Sequence, residues 1–164
     1  MTRWARRELA DPGLALDVLA DADVSVDVGP RSGWLSQFAP PLELAVWWGP
    51  GQTLEGWRAG LLETWPEATI GEEEPATACD APARRQRAEL PERPPATGGF
   101  QTASGGVELR VQRFPARVVV ALALERATVP VLVTWTVDAD REEELRPSER
   151  HFFRALQCGA TGAP

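Results

Sequence analysis

The chain has no lysine, no asparagine and no tyrosine, a single histidine and two cysteines in 164 residues. Without lysine there is no phosphate-cradling GxxxxGK[ST] loop, and the pairs Gly98-Gly99 and Gly105-Gly106 do not fit GxGxxG either. All 17 basic residues are therefore Arg. Arg grips carboxylates and phosphates in a fork that Lys does not match, but wholesale replacement reads as a compositional habit and points to no one site. The lone His151 lies beside Phe152-Phe153, between Arg150 and Arg154. That is a solvent-edge helical position, and no GxSxG supplies the nucleophile that a hydrolytic triad needs beside its base.

Cys79 and Cys158 form no CxxC, and with one His they make no four-ligand zinc site. They read as two buried free thiols in a reducing compartment. A disulfide between them stays open, because a sequence carries no distance. Asp21, Asp23 and Asp27 lack the glycine and closing glutamate of a calcium loop and read as a solvated loop and strand edge. No metal or other cofactor is expected.

Charge and hydropathy exclude further classes. A net charge of −7 argues against nucleic acid and anionic membrane as partners, since both require clustered positive charge. No stretch reaches the ~18 apolar residues of a membrane helix. The longest apolar segment, Val118 to Leu124, is strand-sized. The basic start Met1-Thr2-Arg3-Trp4-Ala5-Arg6-Arg7 is interrupted by Glu8, Asp11 and Pro12 before any secretory apolar run. A cytoplasmic location without membrane insertion is the expectation.

What is present suits one ordered domain: 43% hydrophobic residues, seven Trp and five Phe. Residues 3–9 and 13–19 are strand candidates around the turn signal Asp11-Pro12-Gly13. Val24 to Val28 alternates strictly, a loop is expected from Gly29 through Pro41, and Leu42 to Trp48 reads as a strand with Leu42, Leu44, Val46 and Trp48 on one face and Glu43, Ala45 and Trp47 on the other. A helix is predicted from Thr53 to Trp65, with Thr53 as N-cap and Leu54, Trp57, Leu61 and Trp65 in one stripe. Residues 68–74 and 82–90 read as paired strands, with Glu72 to Glu74 facing Arg84, Arg85 and Arg87 as structural ion pairs. The prolines and glycines of 91–106 read as a long loop. Strands follow at 107–112, 117–125 and 131–137. A last helix from Pro147 to Gln157 stops at Gly159, leaving 159–164 as a frayed tail.

The fold class is thus α+β: a twisted, mainly antiparallel sheet covered by two principal helices, one domain over 1–158. Trp57, Trp65 and Trp135 fall on apolar stripes and are assigned to the core. Trp34, Phe38 and Trp47 are not easily pointed inward, so they are the candidate binding residues. Aromatics of that kind anchor partners; burial under the loop or the last helix is the alternative.

The segments Leu42 to Trp48, Thr53 to Leu62, Glu72 to Glu74, Asp80-Ala81-Pro82-Ala83-Arg84-Arg85, Val131 to Val137 and Phe153-Arg154-Ala155-Leu156 resemble, in order and pattern, the PsbP-like family shared with Mog and DcrB proteins. Asp80 stands where that family usually has Gly. The resemblance implies a mostly non-enzymatic protein with a protein partner. One branch, the EagR-type chaperones of type VI secretion, holds hydrophobic effector helices in a groove. The expectation is a non-enzymatic adaptor or chaperone that binds a protein partner on an aromatic-rimmed surface. Two rivals are a structural subunit of a larger assembly and a carboxylate-dependent enzyme, the latter requiring a pocket with at least two Asp or Glu of raised pKa.

Overall fold

The computed structural model describes residues 2–124 and 129–159. The tail expected at 159–164 lies, but for Gly159, outside the described residues. In chain order the elements are β1 (Trp4–Leu9), β2 (Leu14–Leu19), β3 (Ser25–Val28), β4 (Gly33–Ala39), β5 (Leu42–Trp48), α1 (Leu54–Thr64), β6 (Thr69–Ile70), β7 (Glu74–Ala78), β8 (Ala81–Leu90), β9 (Arg93–Gln101), β10 (Val107–Phe114), β11 (Arg117–Leu124), β12 (Val131–Asp138), a 3₁₀ turn (Ala139–Arg141), α2 (Glu142–Arg154) and β13 (Gln157–Cys158). The main sheet has eight strands in the order β3-β4-β5-β12-β11-β8-β6, with β7 also on β8. A small sheet of β1-β2-β13 packs on it, and β9 with β10 forms a separate two-stranded ribbon. The α+β class and the mainly antiparallel sheet are as expected.

The strands with continuous apolar character lie at the centre. β11 and β12 pair from Arg117↔Asp138 to Leu124↔Val131, and β5 lies on the other side of β12. Their alternation gives the sheet two apolar faces. One face, carrying Leu35, Val46, Trp48, Val120, Val133 and Trp135, packs on Leu14, Leu16 and Val18 of β2 and on Phe152 and Leu156 at the α2 end. On the other, Leu54 and Trp57 of α1 pack on Ala121 and Leu132.

Five expectations need correction. The loop predicted over Gly29–Pro41 is largely strand β4, paired with both β3 and β5. Its period was hidden because one inward position is polar. Gln37 is buried, its Oε1 accepting from Leu19 N and its Nε2 donating to the carbonyls of Leu19 and Ala22 at 2.7–2.9 Å. The strand opens on Gly33 because Trp48 lies across it; a Cβ there would fall 2.4 Å from the indole. The 91–106 loop is instead strand β9 followed by a tight turn, since an edge strand tolerates Pro and Gly where a central one does not. The last helix starts at Glu142 rather than Pro147, which lies inside it. The run Glu142–Glu144 suits the positive end of the helix dipole.

The strands predicted at 68–74 and 82–90 become short β6 and the hairpin β7–β8, whose two-residue turn is Cys79-Asp80. The charges do face each other: Glu74 lies opposite Arg85, and Arg84 Nε is 2.9 Å from Glu73. Finally, Cys79 and Cys158 are not free thiols but a disulfide with Cα atoms 5.3 Å apart, joining the β7–β8 turn to β13.

Candidate functional site

On the α1 side of the sheet, β4 presents Trp34, Ser36 and Phe38 at alternate positions. β5 presents Trp47, Ala45 and Glu43 directly opposite them. Trp34 therefore faces Trp47 across the ladder and Phe38 faces Glu43. The two ends of this row are about 13 Å apart at strand rise. Phe38 is 62% exposed and Trp34 36%, while Trp47 is half-buried. The structure thus places all three sequence-predicted residues on one sheet face. Trp34 and Trp47 meet, and Phe38 stands apart at the far end.

Two concavities continue this face. The larger, about 640 Å³, runs between the sheet and α1 and is lined by Trp47, Leu132, Trp57, Leu61, Trp65 and Glu43 among others. The smaller, about 300 Å³, lies at the Pro40-Pro41 turn, where Phe38 and Glu43 meet Arg113 and Arg117. Glu43 borders both. The surface carries aromatic side chains along its length, with the Glu43 carboxylate between and, at the Pro40-Pro41 end, Arg113 beside an Arg117–Asp138 ion pair at 3.7 Å.

The position of α1 explains why this face stays open. Thr53 caps the helix by accepting from Gly56 N at 3.1 Å. Gly56 is required because a Cβ there would meet the Gly51 carbonyl at 2.5 Å. Among its described residues only Leu54 is buried. An ion pair and a hydrogen bond complete the attachment: Arg58 Nη1 lies 3.1 Å from Glu73 and donates to Gln86 Oε1 at 2.8 Å. The Arg84 and Arg58 guanidinium groups hold the Glu73 carboxyl below its ordinary value.

Trp57 and Trp65, assigned to the core from their helical spacing, are half-buried walls of the groove instead. Trp65 is covered by the Arg93 guanidinium, 3.5 Å from the ring centroid, which also donates to the Thr64 carbonyl at 2.6 Å and to Glu67 at 2.9 Å. The signal that marks them is the parallel run Gly56, Gly60, Thr64 beside Trp57, Leu61, Trp65. A helix with a small-residue stripe next to an aromatic one has a face not filled by its own side chains. Trp135, the third of that group, is core, 1% exposed.

His151 lies away from this surface, stacked on Trp4 at 4.7 Å with Nε2 2.7 Å from Asp17. No group of three or more His, Cys, Asp or Glu among the described residues is arranged to hold a metal ion.

No family model matches the chain, and no curated protein matches it. Solved structures do. Cyanobacterial PsbP (CyanoP) from Synechocystis superposes with a TM-score of 0.56 at 7% identity, over 96% of this chain and 94% of that one. The Saccharomyces cerevisiae Ran-binding protein Mog1p superposes with a TM-score of 0.50 at 8% identity, over 99% and 98% of the two chains. Identities this low speak to architecture alone, and in architecture this chain has the fold of PsbP and Mog1p, the one its sequence pattern resembles.

Proposed function

We propose that this protein is a non-enzymatic binding module that holds an apolar segment of a protein partner on the open sheet face. The observation that carries this reading is the Trp34–Trp47 pair, left partly uncovered by α1 and continuous with the groove along Trp57 and Trp65. A fold-mate, Mog1p, is a Ran-binding protein, which supports a protein as the partner. Among the described residues, the carboxyls whose pKa moves are Glu67, Glu73, Glu143 and Glu144. All are held low by Arg neighbours, the direction opposite to that required of a general acid. A carboxylate enzyme is accordingly the weaker reading.

The disulfide bears on where the protein works. Such bonds persist in oxidising compartments, so Cys79–Cys158 argues against the cytoplasmic expectation and against a cytoplasmic secretion chaperone. No helix among the described residues is long and apolar enough to cross a membrane.

The test places a photo-crosslinking amino acid at Trp34 or Phe38, and at Arg150 on α2 as control. Crosslinks to a protein from the first two positions alone support the open face. Crosslinks from Arg150 alone, or a Trp34→Ala/Trp47→Ala variant that captures the same partner as well as the parent, refute it. Loss of a central aromatic pair is expected to weaken binding by at least about tenfold.

A further inference from the structure

The β9–β10 ribbon is the one described sheet with only two strands, and an isolated two-stranded ribbon is marginal in water. One side of β10 carries Val107, Leu109 and Val111, exposed by 72, 73 and 61%. The other side carries Glu108 and Arg110, 3.2 Å apart. Contiguous apolar exposure of this kind marks an interaction surface.

The pairing pattern gives the direction of the free backbone groups. Thr102 N donates to the Gly106 carbonyl at 2.8 Å. Antiparallel rungs alternate from there. Glu108 and Arg110 therefore exchange bonds with β9, through Phe100 and Gly98. Val107, Leu109 and Val111 turn their N–H and C=O groups to the outer edge. On β9 the outward series is Gln101, Gly99, Thr97 and then Pro95, which has no N–H to donate. The β10 edge is the better template.

We infer that β10 pairs antiparallel with β10 of a second copy of this chain, about a two-fold axis through Leu109. An antiparallel two-fold pairing must match outward positions with outward positions, so its axis passes through a residue. An axis at Glu108 sets two glutamates opposite each other, and one at Arg110 sets two arginines opposite; like charges in that position are destabilising. An axis at Leu109 sets Glu108 against Arg110 of the partner subunit twice, Val107 against Val111 of the partner subunit twice, and Leu109 against itself. The sequence Val-Glu-Leu-Arg-Val is self-complementary in charge and in shape only in this register. The isologous contact closes after two copies. It uses none of the residues that line the groove on the main sheet.

Sedimentation equilibrium on the intact, oxidised protein tests it. The parent is expected to be a concentration-dependent dimer. Glu108→Arg places like charges at both rungs and weakens the dimer by about tenfold or more. The double reversal Glu108→Arg/Arg110→Glu restores it, because the swapped pair is again complementary. Leu109→Cys crosslinks to itself on mild oxidation, since a hydrogen-bonded antiparallel pair spaces its Cα atoms by about 5.5 Å, within disulfide reach. A parent that stays monomeric to submillimolar concentration overturns the proposal, including the case where the edge captures a strand of a different protein. So does a dimer indifferent to Glu108→Arg, or one that Leu109→Cys does not crosslink. Circular dichroism of each variant separates lost pairing from lost folding.

Discussion

On one face of the main sheet, Trp48, Val133 and Trp135 meet β2 and the end of α2 and are sealed from solvent. On the other, Trp34 and Trp47 stand beside a helix that buries one of its own residues, Leu54. The same strands supply both faces, so strand composition does not explain the difference. The covering elements do. α2 brings Phe152 and has Leu156 just beyond its end, both buried, and adds Arg87–Glu142 at 2.9 Å and Arg85–Glu149 at 3.6 Å. α1 brings Gly56, Gly60, one ion pair from Arg58 to Glu73 just before β7 and a hydrogen bond from Arg58 to Gln86 of β8. The closed face holds the fold together; the open face is held at its rim and left available.

The largest effect that sharpens this contrast is a pair of truncations measured by urea unfolding. Phe152→Ala or Trp135→Ala, on the closed face, is expected to cost about 3–5 kcal/mol. Trp34→Ala, on the open face, is expected to cost no more than about 1 kcal/mol. Similar losses at Trp34 and Trp135 would mean that the two faces are equally structural, and the binding role of the open one would fall.

Next in size is the disulfide, which ties the small sheet on the closed side to the β7–β8 turn across a sequence separation of 79. Replacing both cysteines by Ser lowers stability by about 4.5 kcal/mol in the chain-entropy account. The measurement is again urea unfolding, with and without reductant. A parent insensitive to reductant whose cysteines label freely with a thiol reagent would show that the bond is not formed in solution.

The legibility of the two faces in the sequence also differs, for a physical reason. β5, β11 and β12 are continuous or alternating apolar runs, so their existence and type are readable from composition along a line. β4 and β9 are not, because a buried Gln37 interrupts one period and Pro and Gly fill the other. Trp34, Phe38 and Trp47 were legible as aromatics without an inward stripe. Trp57 and Trp65 were not. A helical stripe says which side of a helix faces the sheet, and not whether the sheet side chains reach far enough to cover it. The Cys79–Cys158 contact depends on where β13 returns, which no local pattern records.

A smaller effect lies at the turn between β7 and β8. Cys79 and Asp80 both have φ of 55°, the left-handed region. Asp tolerates it and Gly adopts it without the Cβ penalty. Asp80→Gly removes a left-handed penalty of about 1–2 kcal/mol, of which glycine's freedom in the unfolded chain takes back a part, so a small net gain in stability is expected, read as a shift in the urea midpoint with an unchanged slope. Destabilisation would mean that the Asp80 side chain contributes more to the turn than its backbone costs.

The smallest effect separates the covers rather than the faces. Glu73 and Glu67, which anchor α1 and its end through Arg58, Arg84 and Arg93, are held below the ordinary carboxylate value of 4.5. A carboxyl whose folded pKa is depressed binds fewer protons folded than unfolded over the interval between the two values. Its contribution is whole above 4.5 and is lost as pH falls through the lower, folded value. The Glu143 and Glu144 pairs of α2 weaken over the same range, but α2 keeps its hold through Phe152, which does not titrate. Below pH 4.5, amide exchange should therefore quicken in α1 before α2. Loss of protection in both helices at one pH would mean that α1 is held by its apolar contacts after all, and that the open face is less easily uncovered than its ion pairs imply.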